Sequence, residues 1–496
     1  MSRLSAIRNE RLEKRSALIK KGLPPYPAHT TRDHAISDVL KSFDALASAA
    51  TEIHVAGRIT AIRTHGKVSF IDLEDQSGSI QIVIKSDEYK GVALDDLLLD
   101  IGDFIQITGV AFLTKTGQQS IQAKTITMLS KSLRPLPSDW HGFKDKEERL
   151  RKRYLDLLTN KDVREAFVKR SRLIAELRRY YYSKDFIEVE TPILQTIPGG
   201  ALAKPFKTKL NALDLDMYLR IAPELYLKRL LVGGFERVFE LGRVFRNEGI
   251  DADHSPEFTM LEAYWAYQDY EGLMKFIEEM LRSVVTTING STTVAFQDFS
   301  FDFGGQWKRV AFLELIKEKT GIDYATSTQA NLLAKAKELG IDIKTYLSKA
   351  KLADEIYKKT CRPFVAGPLF VTDLPWEISP LAKRDDNNPE RVERFLLVIA
   401  GNEVANGFSE LNDPIDQLER FQQQQQESKQ GDLETHPYDE DYVEALEYGM
   451  PPAAGVGIGI DRLAMLLTGV ANLREIILFP PMRPRNHETE IEIEND

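Results

Sequence analysis

Hydrophobic and polar positions alternate with a period of two through IHVAGRITAIRTHGKVSFIDLEDQSGSIQIVI, from Ile53, and through FIQITGVAFLTKTGQQSIQAKTITML, from Phe104. That period sends successive side chains to opposite faces of a strand. Broken by glycine-bearing turns, the pattern predicts five short strands between Glu52 and about Pro137. Ahead of them, Leu4 to Lys21 follows a helical period and is ended by Gly22, Pro24 and Pro25. Further on, Val163 to Tyr182 predicts a long helix, and Phe186 to Leu194 a strand interrupted by Pro192. Phe235 to Tyr267 predicts two strands around a turn at Asn247 to Pro256. Helical patterns fill Ala311 to Leu369, and alternating glycines from Gly455 to Gly459 lead into another helix. The sum is an α+β chain: a β-barrel of the OB type, then an antiparallel sheet flanked by helices.

Composition narrows the setting. The 496 residues carry 65 basic and 75 acidic side chains, a formal charge of −10, so affinity for nucleic acid would have to come from local basic patches. The N-terminal helix offers one with Arg8, Arg11, Lys14, Arg15, Lys20 and Lys21, although a solvated helix with one apolar face explains it as well. A single cysteine, Cys361, excludes an intramolecular disulfide and any multi-thiolate zinc site, which suits a reducing cytoplasm. No run of about 18 apolar residues and no signal-peptide pattern occurs. Barrels of this type bind single strands through exposed aromatics and basic side chains, for which Arg58, Arg63, Phe70 and Gln81 are candidates; Phe70 also reads as a core residue.

Two stretches carry chemistry. Arg246 and Glu248, two apart, point to one face if they lie on a strand. The cation suits a phosphate and the carboxylate an amine donor, which together describe a nucleotide, and Phe258 on the returning strand supplies a flat ring for a base. An amphipathic hairpin with a surface ion pair is the plainer alternative. The second stretch, Gly455 to Arg462, lets a ligand or backbone lie flat against its glycines. It lacks the GxGxxG spacing of a dinucleotide-binding turn.

Taken together, FRNE at 245–248, HSPEF at 254–258 and GIGIDR at 457–462 resemble motifs 2 and 3 of the class II aminoacyl-tRNA synthetases. The barrel stretch resembles the anticodon-binding domain of subclass IIb, the group for lysine, aspartate and asparagine. Val163 to Leu194 resembles motif 1, through which these enzymes form homodimers, with Asp185 in place of the usual glycine. Asn211 to Phe245 and Gly401 to Phe421 are similar to lysyl-tRNA synthetases of the bacterial type. The implied organisation is an N-terminal helix and anticodon-binding barrel over 1–140, a linker over 141–162, a catalytic domain over 163–486 and an acidic tail over 487–496. Within the catalytic domain, motif 2 spans about 235–267, a helical insertion about 311–369 and motif 3 about 453–483. The glutamine run Gln422 to Gln426 is expected on the solvated side of a helix.

The resemblance implies activation of lysine by ATP and transfer to the terminal adenosine of tRNA(Lys), with Mg2+ as cofactor. It assigns the α-phosphate and lysine carboxylate to Arg246, adenine to Glu248 and Phe258, phosphate to His254, and the base and γ-phosphate to Arg462. The lysine α-amino group falls to Glu224 and the Gly200 backbone, and its side-chain ammonium to Glu262, Tyr264 and Glu410, with Asn406 and Phe408 as pocket walls. Glu403 matches a magnesium ligand, whereas the second family ligand falls on Leu396. Asn402 and Ser255 also replace the usual arginine and asparagine. For the anticodon, Phe70 matches the stacking ring, and Arg63 and Gln81 the base-edge contacts. An aspartate or asparagine enzyme, a protein-lysylating relative and a catalytically silent paralogue are the alternatives. The first would need a cation facing the substrate side chain, and the second lacks an anticodon barrel.

Overall fold

The computed structural model describes residues 3–137, 145–342, 347–429 and 438–484; the acidic tail expected over 487–496 and residues 141–144 of the expected linker lie outside them. The chain divides into two compact units, residues 1–146 with 482–496, and residues 147–481.

In the first unit the five strands are β1 (Glu52–His65), β2 (Val68–Asp75), β3 (Gly78–Lys85), β4 (Phe104–Leu113) and β5 (Gln119–Ser130). They close in the order β1-β2-β3-β5-β4. Closure uses antiparallel pairing of β1 with β4, Val55 opposite Ile107, and one parallel pair, Ile82 of β3 opposite Ile121 of β5. Every second residue points inward, so Ile53, Val55, Ile71, Leu73, Ile82 and Ile107 form the core. Helix α1 (Arg3–Lys20) spends part of its basic face on structure. Arg11 donates to the carbonyls of Ile101, Ser132 and Arg134, and Lys14 pairs with Asp100 at 2.7 Å.

The second unit is built on an eight-stranded sheet. Its strands are β6 (Ile187–Glu188), β7 (Arg237–Phe245), β8 (Glu257–Ala266), β9 (Lys308–Ala311), β10 (Leu369–Pro375), β11 (Arg391–Ile399), β12 (Asn402–Ser409) and β13 (Ala453–Gly459). They lie in the order β9-β10-β11-β12-β13-β8-β7-β6. The six central strands are antiparallel, and each edge carries one short parallel strand. The strand expected over 186–194 is instead two fragments in different sheets, Ile187–Glu188 and Leu194–Gln195, because Pro192 between them cannot donate to a ladder.

Period two splits the large sheet into two working faces. On β8, Leu261 and Ala263 turn toward α2 (Lys161–Tyr182), α4 (Tyr270–Asn289) and α9 (Ile460–Thr468), joining Leu177, Tyr181, Ile277, Met280 and Leu463 in one core. Phe258, Met260, Glu262 and Tyr264 turn the other way. Helix α3 (Glu224–Val232) lies beside that opposite face. The expected insertion is helical, with α5 (Phe312–Thr320), α6 (Gln329–Glu338) and α7 (Lys349–Thr360) around their own core of Phe312, Leu332, Ile356 and Tyr357. Helix α8 (Pro414–Lys429) carries the glutamine run. Gln422, Gln423, Gln425 and Gln426 are exposed as expected, but Gln424 is buried.

Asp185 and the expected linker each have a local structural account. Asp185, after α2, takes a left-handed conformation with φ of 61°, a region aspartate tolerates better than most residues. The described part of the expected linker is helical, Lys146–Arg151 and Arg153–Thr159, and Arg153 is fully buried. Its guanidinium pairs with Asp156 at 2.7 Å and donates to the carbonyls of Arg474, Ile477 and Leu478. Arg153→Met strands those acceptors and is expected to destabilise the fold by about 3 kcal/mol, read as a lower midpoint in urea denaturation.

Candidate active site

Strand β13 is the floor of the site. Its neighbours place Glu262 and Asn406 on either side of Gly457, and Tyr264 and Phe408 on either side of Gly455. A Cβ at Gly455 would collide with the Tyr264 ring and a Glu410 oxygen, and one at Gly457 with Met260. The alternating glycines therefore allow large polar side chains from β8 and β12 to lie flush across this strand.

Two adjoining cavities occupy this face, of about 190 and 220 Å³. They share Arg246, Met260, Asn406 and Gly457, so the guanidinium of Arg246 stands at their junction. The first cavity is lined by Glu248, His254, Ser255, Phe258, Glu403 and Arg462, among others. Arg246 lies over the Phe258 ring, 5.1 Å from its centroid, and Arg462 donates to the Glu403 carbonyl at 2.8 Å. Asp461 anchors the start of α9, accepting from the Thr259 backbone at 2.7 Å and pairing with Arg170 at 2.6 Å. His254 is exposed and bonds Asp251 at 2.9 Å.

The expectation that Arg246 and Glu248 share a strand face is corrected, because β7 ends at Phe245 and both residues lie in the loop that follows. The ladder reaches one step further through the Arg246 N–H to the Pro256 carbonyl, and the Glu248 carboxylate accepts from the Lys204 N–H at 3.3 Å. Leu396 is buried in the insertion core, and the Asn402 amide donates to the Ala400 carbonyl. Among the described residues no group of three or more His, Cys, Asp or Glu side chains gathers where it could hold a metal ion.

The second cavity is lined by Gly200, Glu224, Glu262, Tyr264, Asn406 and Phe408, as expected, and by Arg394, which sequence reasoning missed. Arg394 donates to Asn406 at 2.9 Å and to the Ile378 carbonyl and Ser379 hydroxyl at 2.8 Å. Tyr264 donates to Glu262 at 3.1 Å. Glu410 is set one layer back: it is 1% exposed, does not line the cavity and forms an ion pair with Lys228. Burial, with the charge of Glu224 added, pushes the Glu262 carboxyl up to about 8, and burial likewise raises the Tyr264 hydroxyl well above its usual range. Burial lowers the Arg246 pKa, opposed by Glu248 and Glu262.

On the barrel, register brings Arg63 opposite Phe70 and Asp72 opposite Gln81, which puts the three expected anticodon residues on one outer face. Phe70 is half-buried there, against the edge of His65. Arg63 pairs with Asp72 at 2.8 Å, and Gln81 accepts from Ser120 at 3.0 Å. Arg58 stacks on Phe104 and donates to the Gly102 carbonyl.

Residues 145–483 match the family model described as tRNA synthetases class II (D, K and N), and residues 53–129 match that of an OB-fold nucleic acid binding domain. The chain belongs to the class II tRNA synthetases. A lysine–tRNA ligase from Syntrophomonas wolfei is 48% identical over 488 residues, 98% of each chain. Those of Carboxydothermus hydrogenoformans and Pasteurella multocida are also 48% identical, over 96% of this chain and 98% and 97% of theirs. Within its class the chain falls in the lysine–tRNA ligase family.

The raised Glu262 pKa has a definite sign. The folded protein holds this proton more tightly than the unfolded chain, whose carboxyl titrates near 4.5, so the stabilisation is full below that pH and is lost as pH rises toward 8. Melting temperature of the ligand-free protein should fall across this window, and Glu262→Gln should flatten that part of the profile.

Proposed function

We propose that this aminoacyl-tRNA ligase activates lysine with ATP in the two adjoining cavities and transfers it to the 3'-terminal adenosine of tRNA(Lys). The observation that carries the reading is Arg246 at the junction of a cavity with an aromatic plate and a cavity with buried carboxylates. In the first step an oxygen of the lysine carboxylate attacks the α-phosphorus of ATP, the bond to the bridging oxygen breaks and pyrophosphate leaves. In the second a ribose hydroxyl of the tRNA attacks the lysyl carbonyl and AMP leaves with the bonding electrons. Such transfers ask mainly for alignment and charge neutralisation. Arg246 reaches both cavities and can hold the attacking carboxylate beside the phosphoryl group through parallel bonds. Glu248 and Phe258 take the base, His254 and Arg462 the outer phosphates.

The second cavity suits an amino acid with two ammonium groups. Glu224 and the Gly200 backbone take the α-ammonium, Glu262 and Tyr264 the side-chain ammonium, with Glu410 behind them. A neutral side chain would leave buried carboxylates without partners, a discrimination stronger than shape alone provides. Aspartate or asparagine would need a cation free to meet its side chain, and the donors of Arg394 named above are already engaged by Asn406, Ile378 and Ser379. Bound Mg2+ would supply charge neutralisation at the nucleotide phosphates. With Leu396 apolar, Glu403 is the carboxylate available to it, a donor set compatible with an ion that keeps water and phosphate ligands. Half-exposed Ile187, Ile193 and Leu194 suit apolar contact with a second copy, hence a homodimer. No described helix is long and apolar enough to cross a membrane, and a tRNA-charging role supports a cytoplasmic location.

Amino-acid-dependent ATP–pyrophosphate exchange tests the reading: lysine should support it, and aspartate and asparagine should not. Arg246→Ala should lower kcat/KM for exchange by about 10²- to 10³-fold. Phe70→Ala should leave exchange unchanged and lower kcat/KM for tRNA by roughly 5- to 100-fold, the range expected from losing one stacked base.

A further inference from the structure

Lys228 lies on α3 four residues after Glu224, with no exposed surface, and neither the motifs nor the expected site includes it. Its ammonium is 2.7 Å from Glu224, forms an ion pair with Glu410 and stands 5.3 Å from the centre of the Phe408 ring. Two lining residues of the amino-acid pocket, Glu224 and Phe408, and Glu410 behind them thus converge on one internal cation. Burial alone would drive this amine toward its neutral form, but the charges of Glu224 and Glu410 more than reverse that and its pKa is raised.

The pocket and its back wall hold three buried carboxylates, Glu224, Glu262 and Glu410. Buried charges persist only when paired, and an uncompensated one is strongly destabilising. Arg246 and Arg394 line the same cavity, the first where the substrate carboxylate and phosphate meet and the second bonded to Asn406, Ile378 and Ser379.

We propose that Lys228 is a specificity-determining positioning residue that holds Glu224 and Glu410 in place for the two ammonium groups of a diamino acid and offsets part of their carboxylate charge. An amino acid with a neutral side chain brings no second cation to this wall. The role rests on the lysine reading of the second cavity. Lys228 touches no reacting atom; it acts through the carboxylates that meet the substrate and through the fixed position of Glu410 behind Glu262 and Tyr264.

The test compares Lys228→Met, Lys228→Arg and the double variant Lys228→Met/Glu410→Gln with the unmodified full-length protein. Pyrophosphate exchange gives the KM for lysine and for ATP, and urea denaturation of the ligand-free proteins gives stability. Lys228→Met should raise the lysine KM roughly tenfold or more and lower the denaturation midpoint, with the ATP KM changed less than about twofold. The double variant should regain part of the stability, because it removes one of the two orphaned charges, but not the lysine KM, because Glu224 stays unanchored; Lys228→Arg should retain more lysine affinity than Lys228→Met. A lysine KM unmoved in Lys228→Met, or a double variant no more stable than the single one, overturns the role given to Lys228. Absence of lysine-dependent exchange in the unmodified protein overturns instead the lysine reading on which the role depends.

Discussion

Removing carboxylates from water costs several kcal/mol apiece unless partners replace the lost hydration, and this fold does so repeatedly on one face of one sheet. Glu240, Glu262 and Glu410 are all nearly inaccessible, and Glu224 is little less so. Each is answered locally: Glu240 by Arg220 and Thr191, Glu224 and Glu410 by Lys228, Glu262 by the hydroxyl of Tyr264. The answer given to Glu262 is the weakest, a neutral donor, and its carboxyl accordingly holds a proton well above the usual range. A site arranged in this way is incomplete until a cation arrives, and its chemistry follows from that demand.

The demand is met on a rigid support. Because β8 and β12 flank a glycine strand, their side chains reach across β13 at fixed register, and their alternate residues are locked into the helix-packed core on the reverse side. Glu262 and Tyr264 cannot shift along the sheet without dragging Leu261 and Ala263 out of that core. Asp461 ties the beginning of α9 to the Thr259 backbone and to Arg170, so Arg462 is held at the first cavity by contacts that reach three separate elements.

Much of this was legible in the residues. Strict alternation in Ile53 to Ile84 specifies β1 to β3 because inward positions are apolar on every second residue, and the Gly455 to Gly459 alternation reveals a strand crossed by its neighbours' side chains. What local pattern cannot show is where a ladder stops, which is why Arg246 and Glu248 lie beyond β7 although they continue its composition. Lys228 left a trace in the sequence, a lysine four residues after a glutamate on an otherwise apolar helix face, but such spacing usually marks a solvent-exposed pair. Arg394 gave no comparable sign: its partners Ile378 and Ser379 come from a different stretch of chain brought near only by the sheet. Glu410 was expected at the side-chain ammonium, yet it lies behind the pocket wall, a depth that depends on how closely β12 passes Gly455.

The guanidinium of Arg246 lies over the ring of Phe258 and borders both cavities. On the proposed reading one side chain therefore adjoins the platform for the base and the chamber for the amino acid at once, so any change at this position is felt by both reactants and not by one alone.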